Sequence, residues 1–471
     1  MSPVIEVKVV KSRPRQIPHA FGVLEGRTAA TPGFGAVLNR NRLNLDRQGF
    51  EGRLGQIATL DDGDVAVGLG AEVTVDRLRA AAGSLARSLG SIDRITTSLH
   101  RVDLAGSTRA VVEGLILGGY KFTRYKSSKP SGTTVELVDA DPKEVERAEA
   151  LSEAEVFARD LVNTPAGDKA PASLAELIAL HAVESGAQAE IWDEEKCEEE
   201  KLSGLLAVAA GSHRPPRLVK LTYQPRRSRA RMALVGKGVV FDSGGLSLKT
   251  AEQMETMKTD MSGAAAVAAA VGAIARLRVP VAVDAYLPLT DNMPGGAAIR
   301  PGDVITYRNG KSIEVLNTDA EGRLILADGL VLAAESRPDV IVDIATLTGA
   351  IRIALGDRMG GLFGSDDGFV ALTKAAGDFT GERFWPMPLV EDYRRLVDSE
   401  IADMKNTSGR YGGSIAAALI LREFTAGNKW VHLDIAGPAR ADQAYWWFSK
   451  GGTGFGTRTL VRLAELLAEV R

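Results

Sequence analysis

The chain has 471 residues, of which 45% are hydrophobic and 25% charged, and its formal net charge is −3. That length exceeds what one hydrophobic core supports, so two domains are expected, and the near-neutral balance argues against a dedicated nucleic-acid binder. A single cysteine, Cys197, excludes an intrachain disulfide and a cysteine-based zinc knuckle, which fits a reducing compartment.

The first eight residues carry charge early and lack an apolar run of signal-peptide length. The longest apolar stretch, 264–275, falls short of the roughly 20 residues that cross a bilayer. A soluble, cytoplasmic protein with no membrane partner is expected. Residues 65–69 and 109–117 read as short buried strands and 77–89 as a helix, giving a small α/β domain over 1–140. Asp141 can then cap a helix that Pro142 opens, with acidic residues in its early turns. Asn163-Thr164-Pro165 ends it, so 141–164 reads as a connecting helix.

Over 165–471, strands at 231–240, 279–288, 340–345 and 429–435 alternate with helices at 262–277, 322–336, 413–425 and 457–470. The alternation predicts a mostly parallel central sheet flanked by helices, with chemistry in the loops that leave the C-terminal ends of its strands. The fold class is α/β, with a smaller N-terminal and a larger catalytic C-terminal domain.

The five histidines form no HExxH motif, and no G-x-S-x-G elbow is present. Cys197 sits among Glu194, Glu195, Glu198, Glu199 and Glu200, whose charge would raise its pKa and blunt its reactivity. Acids and lysines in glycine-rich settings stand out instead. In Val235–Lys249, four glycines surround Lys237 and Asp242, so backbone can approach a ligand closely. The spacing is not that of a phosphate loop, and an acid there would repel phosphate; a structural turn is the competing reading. Asp260 precedes an alanine-rich helix and could be its cap, as could Ser262. Asp319, Glu321 and Arg323 fall at i, i+2 and i+4, on one side of an extended segment; a solvated salt bridge is the bland alternative.

Together, Asp242, Asp260, Asp319 and Glu321 are enough to hold two divalent ions about 3.5–4 Å apart. Oxygen ligands with one amine suit Mn, Mg, Zn or Co. Two cations would also hold Lys237 neutral, freeing its lone pair. Lys249 and Arg323 would remain charged beside them, able to stabilise an oxyanion or position a base.

At these residues the sequence resembles the leucine aminopeptidase (cytosol aminopeptidase) family. Asn317-Thr318-Asp319-Ala320-Glu321-Gly322-Arg323-Leu324 matches its signature octapeptide. Val235-Gly236-Lys237-Gly238 and Phe241-Asp242-Ser243-Gly244-Gly245 are similar to its metal loop. Asn163-Thr164-Pro165, Asn292-Met293-Pro294, Pro301-Gly302-Asp303-Val304, Ala345–Ala350 and His432–Gly437 agree in order and spacing, so the likeness runs over 161–471. The resemblance implies that Asp242 and Glu321 bridge two ions, Mn or Zn. Lys237 and Asp260 would complete the tighter site, and Asp319 the more exchangeable one. Lys249 would polarise the scissile carbonyl, and Arg323 would hold a bicarbonate ion acting as general base on an attacking water. Met257, Thr346 and Gly349 would line the pocket for the first side chain, preferring leucine-like residues with broad specificity. The loop 450–457 resembles the last pocket segment but is richer in glycine.

The resemblance further implies peptide substrates with a free N-terminus, a homohexamer, and an N-terminal domain serving assembly or regulation. His432 reads as a core histidine rather than a ligand. Three rivals stay open. One is a DNA-binding accessory role, which the small basic excess of residues 1–150 does not support. The others are two-metal phosphoryl transfer and a narrow dipeptidase, for example for Cys-Gly.

Overall fold

The computed structural model describes residues 5–14, 16–90, 92–128 and 131–469. The reading of residues 1–4, and the last position of the helix expected at 457–470, lie outside them. The chain divides into two compact units, Met1–Val156 with Ala441–Lys450, and Phe157–Arg440 with Gly451–Arg471. The division falls inside the helix Pro142–Asn163.

The first unit holds a seven-stranded sheet in the order Ile5–Val10, Thr133–Val138, Arg94–Thr97, His19–Leu24, Val65–Gly70 and Ile57–Thr59, with Thr28–Ala29 added on His19–Leu24. Pairing is parallel through the middle and antiparallel at the two short strands. The strand expected at 65–69 and the helix at 77–89 are present as Val65–Gly70 and Val75–Ser88. The run 109–117 is not a strand; it lies in the helix Ser107–Gly119. Nearly all of that helix is buried, so its apolar residues are not confined to one face and show no one-sided period. Even Glu113 is inside, paired with Arg79 at 2.6 Å. The partner helix comes so near that a β-carbon on Gly114 would lie 2.2 Å from the Arg79 carbonyl oxygen.

In the second unit the sheet has nine strands, eight of them in the order Phe384–Pro386, Gly360–Gly364, Trp430–Asp434, Val340–Ala345, Ala230–Gly236, Val281–Asn292, Arg217–Tyr223 and Gln188–Trp192, with Gly238–Asp242 added on Val281–Asn292. The four central strands are parallel, as βαβ connections require. Gln188–Trp192, Arg217–Tyr223 and Gly360–Gly364, which sequence patterning missed, join by antiparallel pairing. The strand expected over 231–240 is two strands, Ala230–Gly236 and Gly238–Asp242, both parallel to the long Val281–Asn292. Lys237 is the step between them. Its N–H donates to the Ile344 carbonyl at 3.1 Å, and its own carbonyl accepts from Ala264 at 2.8 Å.

Two helical layers flank this sheet. Ser262–Arg276 packs with Pro171–Glu184 and Thr457–Glu469, and Gly322–Glu335 packs with Ser203–Ala209 and Gly413–Arg422. The alanine-rich Ser262–Arg276 is buried through Ala275. Its small side chains let it lie close enough that a β-carbon on Gly263 would fall 2.1 Å from the Ile344 carbonyl oxygen. The α/β, two-domain, mostly parallel architecture read from the sequence is the one observed. Among the described residues no helix is long and apolar enough to cross a membrane.

Candidate metal centre and active site

The parallel strands end on one group of polar residues. Lys237 follows Ala230–Gly236, Asp242 closes Gly238–Asp242, Asn292 closes Val281–Asn292, and Thr346 follows Val340–Ala345. Asp260 comes in between the 3-10 turn Met257–Thr259 and the helix Ser262–Arg276. It is not that helix's cap. The cap position is Met261, without a side-chain hydrogen bond, and the Asp260 carboxylate turns instead to Lys237 Nζ at 2.7 Å and Thr346 Oγ1 at 2.7 Å. Asp319, Glu321 and Arg323 do not share the extended segment expected of them. Asp319 sits in a turn, Glu321 is the helical N-cap residue (φ −77°), and Arg323 lies in the first turn of Gly322–Glu335. The chain change of direction, not strand alternation, aims the two carboxylates at the same place.

Two lysines thread the four acids. Lys237 Nζ lies 2.8 Å from Glu321 Oε1 and donates to the Thr346 carbonyl at 3.0 Å. Lys249 Nζ pairs with Asp242 Oδ2 at 2.8 Å and with Asp319. Oxygens of Asp242, Asp319 and Glu321 lie within 4.8 Å of one another. Asp242 is held in turn: its Oδ1 accepts from the Gly244 N–H and Asn292 Nδ2, each at 2.8 Å. Gly244 has φ +86°, and a β-carbon there would meet the Ser247 carbonyl oxygen at 2.4 Å, so only glycine lets the loop fold back.

Counted formally, four carboxylates face two ammonium groups, an excess of two negative charges, and burial pushes the Asp260 carboxyl well above its ordinary value. All but Asp319 and Lys249 are almost fully buried. Burial pushes the Asp242 carboxyl up to about 6, with Glu321 adding to the push. Burial works against Lys237, but Asp260, Glu321 and Asp242 overcome it and raise its pKa. The same contest raises Lys249. Glu321 Oε2 is buried without a hydrogen-bond donor. Surplus negative charge and an undonated carboxylate oxygen in one cluster match what divalent cations require, since a buried charge is costly unless compensated.

Arg323 donates from Nη1 to the Asn406 carbonyl at 2.8 Å, while its Nε has no hydrogen-bond acceptor; burial lowers its pKa to about 10. Of the expected pocket residues, half-buried Met257 opens the turn that ends at Asp260, Thr346 bridges Lys237 and Asp260, and Gly349 opens the helix Gly349–Leu355. Cys197 is buried away from solvent, and burial, more than its acidic neighbours, pushes its thiol up to about 12. His432 is a core histidine, with Nδ1 2.5 Å from Asp343 Oδ1.

Sequence reasoning gave no role to three supporting residues, although Asn292 and Asp434 lie in motifs that it singled out. Asn292 ties Asp242 to the Thr318 carbonyl, which it reaches at 3.0 Å; its place in Asn292-Met293-Pro294 was the available signal. Asp434 accepts from Leu347 N–H at 3.1 Å and Thr348 Oγ1 at 2.7 Å, fixing the turn after Thr346. Asn406 accepts from the Leu316 N–H at 2.9 Å and donates to the Asn317 carbonyl at 2.6 Å, holding the segment before Asp319 from some ninety positions away. No local pattern marks it.

Residues 156–461 match the model of the cytosol aminopeptidase family, catalytic domain, and residues 44–129 match that family's N-terminal domain. The chain belongs to the cytosol aminopeptidase family. A probable cytosol aminopeptidase of Streptomyces avermitilis is 46% identical over 86% of this chain and 83% of its own length. One from Leifsonia xyli is 43% identical over 88% and 89%. Among solved structures, the bottromycin maturation enzyme BotP in complex with Mn superposes with a TM-score of 0.89 at 40% identity, covering 96% of this chain and 100% of that one. A mutant of tomato leucine aminopeptidase gives 0.89 at 31% identity over 98% and 97%. Membership makes this chain a metal-dependent aminopeptidase, a hydrolase acting on peptides.

Proposed function

We propose that the enzyme removes leucine and other apolar residues, with broad tolerance, from the N-terminus of peptides by means of two divalent ions, Mn or Zn. The observation that carries this reading is the set of four carboxylates threaded by Lys237 and Lys249 at the ends of the parallel strands. Lys237, Asp242, Asp260, Asp319 and Glu321 are the residues to hold the ions, with Asp242 and Glu321 shared between them. Bound there, two ions supply Lewis acidity that makes water nucleophilic near neutral pH and attracts a free α-amine. Lys249, beside Asp242 and Asp319 and partly open to solvent, donates to the scissile carbonyl oxygen as negative charge develops on it. Arg323, with its unmet Nε, is the residue to hold a bicarbonate ion, the group this reading assigns as general base.

Met257, Thr346 and Gly349 take the first side chain. An apolar pocket discriminates by only about 1–3 kcal/mol per methylene, hence the broad tolerance. The reading extends to a cytoplasmic homohexamer whose first 140 residues serve assembly or regulation. The relatives' name supports the compartment, and the family resemblance supports the assembly.

The test compares leucine p-nitroanilide with its N-acetyl form, using metal-stripped protein reloaded with Mn or Zn, beside Glu321→Ala. Hydrolysis of the free-amine substrate alone, lost by orders of magnitude in the variant, is expected. Equal cleavage of the acetylated substrate, or full activity of Glu321→Ala, would refute the reading.

A further inference from the structure

Lys169 lies between the helix Pro142–Asn163 and the helix Pro171–Glu184, and it is 1% exposed. No motif marks it. Its Nζ donates to three backbone carbonyls, those of Leu161 at 3.0 Å, Val162 at 3.1 Å and Lys258 at 2.7 Å. Two of these belong to the last turn of Pro142–Asn163, where no later helical N–H is available to meet them. The other terminal carbonyls there are met as well. Asp160 accepts from Thr164 at 3.1 Å, and Asn163 accepts from Lys258 Nζ at 2.8 Å. The clasp is reciprocal: Lys169 holds the backbone of Lys258, and Lys258 holds the backbone of Asn163.

Burial and the nearby Lys258 push the Lys169 pKa down, while three acceptors match the three donors of its charged form and a helix C-terminus favours a cation. The segment so held is Met257–Thr259 with Asp260 behind it, one wall of the proposed pocket and one proposed metal ligand. The same helix end also grips the glycine-rich loop that follows Lys450. Asn163 Oδ1 accepts from the Gly452 N–H at 2.9 Å, and Arg159 Nε donates to the Thr453 carbonyl at 2.9 Å.

We propose that Lys169 is a positioning residue for substrate recognition, its side chain setting the Met257–Asp260 segment against the pocket through the Lys258 carbonyl. This rests on the reading of Met257 as pocket lining and Asp260 as ligand. A residue serving only as a helix cap would affect stability alone. Lys169→Met, assayed well below its unfolding temperature and at matched metal content, is expected to raise KM for leucine p-nitroanilide roughly tenfold or more and to reduce the leucine-over-alanine preference, since small misplacements of a binding wall are costly.

A lower melting temperature with KM and preference unchanged overturns the assignment while leaving the aminopeptidase reading intact. Failure of the wild-type enzyme on leucine p-nitroanilide removes the pocket reading and this inference with it. Should Lys169→Met not fold, Lys169→Gln removes the ammonium from the Lys258 carbonyl while keeping a donor for the helix-end carbonyls. The same KM and preference changes are expected there, and wild-type values would overturn the proposal.

Discussion

A β-carbon on Gly322 would fall 2.7 Å from Cε of Lys237 and 2.8 Å from its Nζ. The lysine tip has nowhere to retreat, because Asp260, Glu321 and the Thr346 carbonyl pin it. Gly322 begins a helix, where alanine is intrinsically better by roughly 0.5–1 kcal/mol. Gly322→Ala therefore drives a methyl group into the lysine tip. We expect metal affinity and kcat/KM each down at least about tenfold, an energy of about 1.4 kcal/mol, together with a lowered melting temperature, because the clash outweighs alanine's small helical advantage. Normal metal binding by this variant would show that Lys237 is free to move.

Metal loading should release protons. An ammonium nitrogen has no lone pair to give, and its three carboxylate neighbours hold Lys237 protonated. If Lys237 is a ligand, apparent metal affinity climbs with pH, by about tenfold per unit for each proton displaced. Calorimetric titration with Mn in buffers of different ionisation heat should report at least one proton released per site. No release would remove Lys237 from the ligand set.

Thr346→Val deletes the hydroxyl that donates to Asp260 at 2.7 Å while keeping the carbonyl that accepts from Lys237. Partners one layer outside the ligands are typically worth 10–100-fold in metal affinity. The lower end, about tenfold, is expected for the Asp260 side of the centre, measured by Mn titration. An unchanged isotherm would mean that the hydroxyl serves the pocket alone.

Acid should weaken the fold through three of its histidines, His19, His100 and His181. Burial lowers His19 to about 3, and His100 and His181 to about 4. Folded values below the unfolded 6.5 mean that the unfolded chain binds more protons. Stability from these groups is therefore complete above pH 6.5 and is lost as pH falls toward 4 and then 3. His181 stacks on Phe157 with ring centres 3.8 Å apart; its share should reach about 2–3 kcal/mol by pH 4.5. Urea midpoints of wild type and His181→Leu at pH 7.5 and 4.5 check this, the variant losing less. Equal losses would acquit His181.

The sequence by itself determined the alternating α/β plan, the glycine-rich loop around Lys237 and Asp242 and the acids of the octapeptide, because each depends on residues near one another in the chain. Helix starts, apolar runs between breakers and closely spaced carboxylates need no distant partner to be seen. The tertiary structure decided what depends on burial and on long-range contact. Ser107–Gly119 hides its helical period because it is enclosed on every side, and the antiparallel strands Gln188–Trp192 and Arg217–Tyr223 take their places only by pairing with the sheet. The step at Lys237 exists because neighbouring strands and the helix Ser262–Arg276 take up its backbone groups. Asn406, Asp434 and Lys169 matter for the carbonyls and N–H groups they satisfy far away in sequence. Such bonds are demanded by the cost of burying polar groups, and which groups become buried together is settled only when the chain has folded.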